Sequence, residues 1–104
     1  MNRESKLSYI AAKVSQQSRL MQVAEEAAEL IQASMKLARI KAGDNPAAVS
    51  RDEALRSLVE EIADVKNSID ALQMDDILPS GDIEEVERVK LDRWFERVKL
   101  TGKK

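Results

Sequence analysis

Apolar residues recur every three or four positions along most of this chain, as they do on one face of an α-helix. The pattern is weak over residues 4–14 and strong over residues 20–40. It returns over residues 51–73, and a last helix is predicted to end near Leu100. The strict alternation of apolar and polar residues that marks a half-buried β-strand does not occur. The sequence therefore predicts a single all-α domain over residues 1–104, an antiparallel helical bundle of about four helices.

Capping and turn-forming residues indicate where these helices begin and end. Gly43 stands where a C-terminal cap is expected, inside a joint that spans residues 41–50. Ser50 is followed three residues later by a glutamate, which is the form of a capping box at a helix start. Residues 79–81, with the sequence Pro-Ser-Gly, are predicted to break the chain, and Asp82 repeats the capping pattern ahead of the last helix.

The second predicted helix is apolar around much of its circumference. Leu20, Val23 and Ile31 fall near helical spacing, while Leu30 and Met35 widen the apolar stripe. A helix of this kind is usually buried on two sides. A chain of 104 residues also buries a smaller share of its surface than a large one. We therefore expect a homodimer or homotetramer assembled around the second and third helices.

Composition and charge narrow the classes of function. The chain contains neither cysteine nor histidine, which excludes disulfides, thiolate metal sites, histidine-based catalysis and most zinc sites. The formal net charge is −2, and there is no basic block of the kind that binds nucleic acid. Neither a signal-peptide pattern nor a long apolar stretch occurs, so we expect a cytoplasmic protein that does not bind membranes.

The acidic residues of the predicted helices fall into two groups. In the last helix, acids have a basic residue three or four positions away, as Glu85 and Asp92 have in Arg88. Four acids of the middle helices have another acid at those offsets instead, and each like-charge pair costs a few tenths of a kcal/mol. The two pairs, each with a spacing of three residues, are Glu26 with Glu29 and Glu61 with Asp64.

Antiparallel packing of the two long helices would bring these pairs face to face near mid-helix. Four carboxylates lining one cleft provide the hard oxygen ligands that Mg²⁺ and Mn²⁺ prefer. The alternative is that the acids form salt bridges with Lys or Arg of another helix or subunit.

Two motifs resemble those of a known family. Residues 25–30, Glu-Glu-Ala-Ala-Glu-Leu, resemble the EExxE motif of the MazG-like, all-α nucleoside triphosphate pyrophosphohydrolases. Residues 60–65, Glu-Glu-Ile-Ala-Asp-Val, resemble the second motif, ExxD followed by a small or branched apolar residue. The resemblance covers about residues 18–75, and residues 89–97 are similar to the closing helix of small single-domain members.

The resemblance implies a magnesium site, with Mn²⁺ as a possible substitute. The linker between the two motifs is longer than in the family pattern, and we place the excess in the joint at residues 41–50. Glu25 and Glu60 match acids that act as outer ligands or in catalysis, although Glu60 also has Arg56 one turn away. The implied metal ligands are Glu26, Glu29, Glu61 and Asp64.

The activity implied by the resemblance is Mg²⁺-dependent hydrolysis of (deoxy)nucleoside triphosphates to nucleoside monophosphate and pyrophosphate, with water attacking the α-phosphorus. Glu25 is a candidate to orient or deprotonate that water. Lys36 is a candidate phosphate ligand, and Asn67 is a candidate to hydrogen-bond a ligand carboxylate, a phosphate or the sugar; each is alternatively an ordinary solvated residue. Tyr9, Trp94 and Phe95 could stack on a base, although Trp94 and Phe95 fit core or interface packing better.

Three other functions were weighed on the sequence, and the first of them is disfavoured. A di-iron carboxylate bundle requires Glu-x-x-His motifs, which a chain without histidine lacks. A non-catalytic helical module for dimerisation or partner binding agrees with the broad apolar surface of the second helix, but gives no reason for four mutually repelling acids. A regulatory nucleotide-binding protein without catalysis is the third.

Overall fold

The computed structural model describes residues 1–43, 49–75 and 80–102, and every regular element in these ranges is an α-helix. The predicted all-α fold is therefore confirmed. Part of the predicted joint, including Pro46, and Pro79 of the predicted break lie outside the described residues. The four helices are α1 (Arg3–Lys13), α2 (Gln16–Ala42), α3 (Arg51–Leu72) and α4 (Ser80–Gly102).

Short polar side chains cap the first three helices. The side chain of Ser15 accepts a hydrogen bond from the backbone N–H of Ser18 at 3.1 Å, so the chain breaks between α1 and α2 rather than continuing through. Ser50 caps α3 as predicted, accepting from the N–H of Glu53 at 3.2 Å. Gly43 ends α2 in the left-handed conformation, with φ of 73°, which glycine adopts without a Cβ clash.

The prediction for the start of α4 was wrong. This helix begins at Ser80, so Ser80 and Gly81 are helical and Asp82 lies within the first turn instead of capping it. A glycine in a helix costs only about 1 kcal/mol relative to alanine, which does not prevent a first turn from forming. Asp82 still favours the helix, because a negative charge in the first turn interacts well with the helix dipole.

Helices α2 and α3 pack against each other along their length, and they run antiparallel. Arg19, near the start of α2, reaches the carbonyl of Ala71 and the carboxylate of Asp75 at the end of α3. The residues buried between these helices are mostly small, and Ala54 is only 1% exposed. Small side chains let the two backbones approach closely, which fixes the distance between side chains that project from the edges of the interface.

A buried arginine fastens the end of this helix pair. Arg19 is 5% exposed, and its guanidinium donates to the carbonyls of Val14 and Ala71, both at 3.0 Å, and to Asp75 Oδ2 at 2.6 Å. Gln16 donates to the same carboxylate oxygen at 3.2 Å. Hydrogen bonding to Arg19 holds the pKa of Asp75 below its usual range. One side chain thus joins the α1–α2 turn, α2 and the end of α3.

Helix α1 packs on α3, and Arg3 makes two bonds across this contact. Its guanidinium donates to Asn67 Oδ1 at 3.0 Å and to Asp70 Oδ2 at 2.6 Å. Both partners of the Arg3–Asp70 ion pair remain well exposed, so this contact is worth less than the Arg19 bridge.

Helix α4 extends away from the other three. Its described side chains are exposed except for the half-buried Ile83 and Val89. The radius of gyration is 17.6 Å, whereas a compact chain of this length has about 13 Å. Within the described residues, none of the helices is both long and apolar enough to cross a membrane.

Candidate metal centre

Four carboxylates converge on one side of the α2–α3 pair. Glu26 and Glu29 project from α2, Glu61 and Asp64 from α3, and each residue offers one oxygen within 4.8 Å of those of the other three. The spacing of three residues places both acids of a helix on one face, and antiparallel packing brings the two faces together. These four residues are the metal ligands that the family resemblance implies, and they form the cluster called here the carboxylate cluster.

Two of these carboxylates have an oxygen that is buried without a hydrogen-bond partner. These atoms are Glu26 Oε2 and Glu61 Oε2, one from each helix. The other oxygen of Glu26 accepts from Gln22 Nε2 at 2.7 Å. An unpaired buried acceptor carries a desolvation cost that a positive partner would offset. Among the ion pairs of the described residues, none includes a member of the carboxylate cluster.

Burial and mutual repulsion shift the ionisation of two members. Desolvation raises the pKa of Glu26, and the charges of Glu29 and Asp64 raise it further. Desolvation also raises the pKa of Glu61, assisted by hydrogen bonding with Glu29 and by the charges of the other three acids. Both shifts mean that the cluster resists carrying its full negative charge unless a cation is bound.

This electrostatic penalty predicts that Glu61→Gln stabilises the metal-free protein. A carboxyl group whose folded pKa is raised binds protons more tightly in the folded state. Its contribution to stability is therefore complete below the ordinary glutamate pKa and is lost as the pH rises through the raised value. We expect the melting temperature measured in chelator to fall over this range in the wild type, and to fall less in Glu61→Gln.

The control for this measurement is Glu53→Gln. Glu53 lies on the same helix, is exposed and does not belong to the carboxylate cluster. Its charge lies in the first turn of α3, where it favours the helix, so we expect Glu53→Gln to melt slightly below the wild type and to show the same fall in melting temperature as the pH rises. Equal pH profiles for Glu61→Gln and the wild type would show that the cluster carries no electrostatic penalty.

The donor set and its dimensions fit a small divalent cation. Oxygen ligands on opposite sides of an octahedral Mg²⁺ are about 4 Å apart, because each Mg–O distance is about 2.1 Å. The four oxygens of the cluster already lie within 4.8 Å of one another, so small side-chain rotations would bring them into range. An all-carboxylate set suits Mg²⁺ or Mn²⁺ better than metals that prefer nitrogen or sulfur.

The other candidate residues lie outside the carboxylate cluster. Glu25 and Glu60 are exposed neighbours of cluster members. Lys36 is exposed two turns beyond Glu29, about 10 Å further along α2. Asn67 is one turn beyond Asp64, where its carbonyl oxygen accepts a hydrogen bond from Arg3. The roles predicted for these four residues stay predictions.

Sequence reasoning missed the roles of two polar residues, Gln22 beside the cluster and Arg3 beside the candidate residue Asn67. Gln22, which holds Glu26, lies one helical turn before it, and that spacing was a signal available in the sequence. Arg3 comes within reach of Asn67 only because α1 packs on α3, which no local pattern indicates. Comparisons with protein-family models, curated proteins and solved structures found no match to this chain.

Proposed function

We propose that this protein is a Mg²⁺-dependent nucleoside triphosphate pyrophosphohydrolase, with Glu26, Glu29, Glu61 and Asp64 as metal ligands. The observation that carries the proposal is the carboxylate cluster with its two buried, unpartnered oxygens. A cluster of four acids that bound no cation would destabilise the fold, because nothing would offset the repulsion between the carboxylates. The reaction class comes from the resemblance of residues 25–30 and 60–65 to the two motifs of the MazG-like family.

In the proposed reaction, water adds to the α-phosphorus of the nucleotide. The bond from that phosphorus to the oxygen bridging to the β-phosphorus breaks, so the products are a nucleoside monophosphate and pyrophosphate. When bound, Mg²⁺ lowers the pKa of water and offsets charge on the phosphoryl oxygens. The protein itself supplies no covalent intermediate.

The residues of the cluster hold the cation site rigid on two packed helices. Gln22 holds the carboxylate of Glu26 through one oxygen, and the other oxygen is buried without a hydrogen-bond partner. Glu25 and Glu60 are assigned to proton transfer or outer coordination, since both are carboxylates adjacent to ligand positions. Lys36 and Asn67 are assigned to the triphosphate or the sugar.

We also propose that copies of the chain associate through α2 and α3. The second apolar side predicted for α2 is exposed in the single chain, where Ile31 is 64% and Met35 51% exposed. No large apolar side chain of the described residues is fully buried. A chain with so small a core of its own needs further apolar contacts to be stable.

The experiment for the reaction is pyrophosphate release from a panel of ribo- and deoxyribonucleoside triphosphates. We expect release of monophosphate and pyrophosphate in equal amounts with Mg²⁺, and none when the metal is chelated. Mg²⁺ alone should raise the melting temperature, because a ligand that binds only the folded state stabilises it. Release of inorganic phosphate in place of pyrophosphate would contradict the attack at the α-phosphorus.

The second candidate function is a non-catalytic partner-binding module. The observation that favours it is the apolar surface left open on α4, where Trp94 and Phe95 are about 60% exposed. Such a module has no use for a cation. No nucleotide turnover, together with no change of melting temperature on addition of Mg²⁺ or Mn²⁺, would favour it over the hydrolase.

A further inference from the structure

Helix α4 carries an apolar stripe that no described part of its own chain covers. Leu91, Trp94, Phe95 and Val98 follow the i, i+3, i+4, i+7 spacing of a helix face that packs against a neighbour. All four are between 58% and 61% exposed. Together they leave on the order of 500 Å² of apolar surface in water, which is as much as the largest patch on a typical monomer. These four residues form the α4 stripe.

The α2–α3 pair has an uncovered apolar surface of its own, on the side opposite the carboxylate cluster. At about 100° per residue, these apolar positions are turned roughly 70–160° in one sense from the α2–α3 interface, and the acids are turned in the other sense. Because the helices are antiparallel, positions turned in the same sense lie on the same side of the pair. The members of this α2–α3 face are Leu20, Ile31, Met35, Leu55, Val59, Ile62 and Ile69, between 39% and 64% exposed.

We propose that the α4 stripe of one copy packs on the α2–α3 face of a second copy, and that the second copy returns the same contact. The inference rests on the proposal that copies associate and does not depend on the metal chemistry. Two antiparallel helices form a shallow groove between them, which is where a third helix packs. The carboxylate cluster, on the opposite side, stays open to substrate.

The reciprocal contact is favoured over two simpler pairings because it covers both apolar surfaces. Pairing α4 with α4 leaves the α2–α3 face exposed, and pairing the two α2–α3 faces leaves the α4 stripe exposed. The reciprocal contact covers both with one two-fold interface, in which each copy presents the same surface. It would bury on the order of 2,000 Å² in total, the size found in stable complexes. Helix α4 already extends from the body of its own chain, as a helix that reaches a second copy must.

The first test compares two leucines on opposite sides of α4. Leu91 belongs to the stripe and is 61% exposed; Leu100 is 65% exposed and lies about 180° from Leu91 around the helix. We expect the wild type to be a dimer by light scattering coupled to gel filtration. Leu91→Glu should weaken the dimer on the order of 100-fold, because it places a charge in the centre of an apolar contact. Leu100→Glu should behave as the wild type.

Cross-linking identifies the surfaces that meet. Because the chain has no native cysteine, a maleimide reacts only with the cysteine that is introduced. Two single variants are prepared, Val98→Cys in the stripe and Val59→Cys in the face, with side chains 58% and 60% exposed in the single chain. We expect a short bis-maleimide to join the two variants when they are mixed. Products of Val98→Cys alone would indicate α4–α4 pairing, and products of Val59→Cys alone would indicate face-to-face pairing; either result in place of the mixed product overturns the proposal.

Three further outcomes would also overturn it. They are a wild type that stays monomeric at every concentration, equal dissociation of Leu91→Glu and Leu100→Glu, and a Leu91→Glu variant that remains fully dimeric. Circular dichroism shows whether Leu91→Glu keeps its helix content, and the cross-linking result stands without that variant. Metal-dependent pyrophosphate release is measured in parallel on the wild type, so failure of the interface and failure of the enzyme are told apart.

Discussion

Replacing Glu61 by glutamine is expected to lower metal-dependent pyrophosphate release by at least about 100-fold, since loss of a ligand should exceed the 10–100-fold cost of losing an outer contact. Glu61 has a buried oxygen without a partner, and its carboxylate meets Glu29 from the facing helix. The amide has nearly the same volume but lacks the charge that a divalent cation requires. The loss should appear in turnover and in the concentration of Mg²⁺ needed for half-maximal rate.

This prediction separates a lost metal site from a lost fold. The metal-free Glu61→Gln protein should be at least as stable as the wild type, because one repelling charge is gone. Its melting temperature should therefore respond little to Mg²⁺ while its helix content is unchanged. Glu53→Gln, the same change on the same helix, should keep both activity and Mg²⁺ response. Full activity of Glu61→Gln would remove this residue from the proposed mechanism.

Much of the fold follows from local chemistry that the sequence displays. The helical spacing of apolar residues, the cap at Ser50 and the glycine at position 43 predict α2 and α3 to within a few residues. The carboxylate cluster follows from the same information, because acids spaced by three residues share one face of their own helix and the apolar positions beside them indicate which faces of the two helices meet. The pairing of Glu26 and Glu29 with Glu61 and Asp64 needed only the assumption that the helices are antiparallel.

Other features depend on tertiary contacts that no local pattern encodes. Arg19 follows a run of uncharged polar residues, and nothing in that local pattern indicates burial, yet it is buried because three acceptors surround it. The start of α4 was misplaced because a glycine and a serine suggest a turn, although a helix tolerates both in its first turn. Trp94 was expected in a core or an interface, and within its own chain it is exposed.

The two sides of the α2–α3 pair carry different kinds of side chain. Repelling acids occupy one side and uncovered apolar residues the other, and both lie on helices whose contact is built mainly from small side chains. Anything that loosens this contact would separate the acids of α2 from those of α3. The residues that fasten the ends of the pair therefore matter to the proposed site even though they do not touch it.

Replacing Arg19 by methionine is expected to destabilise the protein by about 3 kcal/mol, because it removes a buried charge-assisted network and leaves two carbonyls without their donor. Urea titration followed by circular dichroism measures the loss as a shift of the midpoint. The effect should shrink in acid: the pKa of Asp75 is held low in the folded state, so its contribution is present above the ordinary aspartate pKa and disappears as the pH falls through the lowered value.

Arg3→Met is the matched control for this prediction. Arg3 also joins the N-terminal part of the chain to α3 through an ion pair of 2.6 Å, but its side chain is 59% exposed where that of Arg19 is 6% exposed. Exposed pairs contribute less than about 1 kcal/mol, since water competes for both partners. A loss in Arg3→Met as large as that in Arg19→Met would mean that burial does not distinguish the two bridges. The expected difference makes Arg19 the residue that holds the ends of α2 and α3, and with them the spacing of the carboxylate cluster.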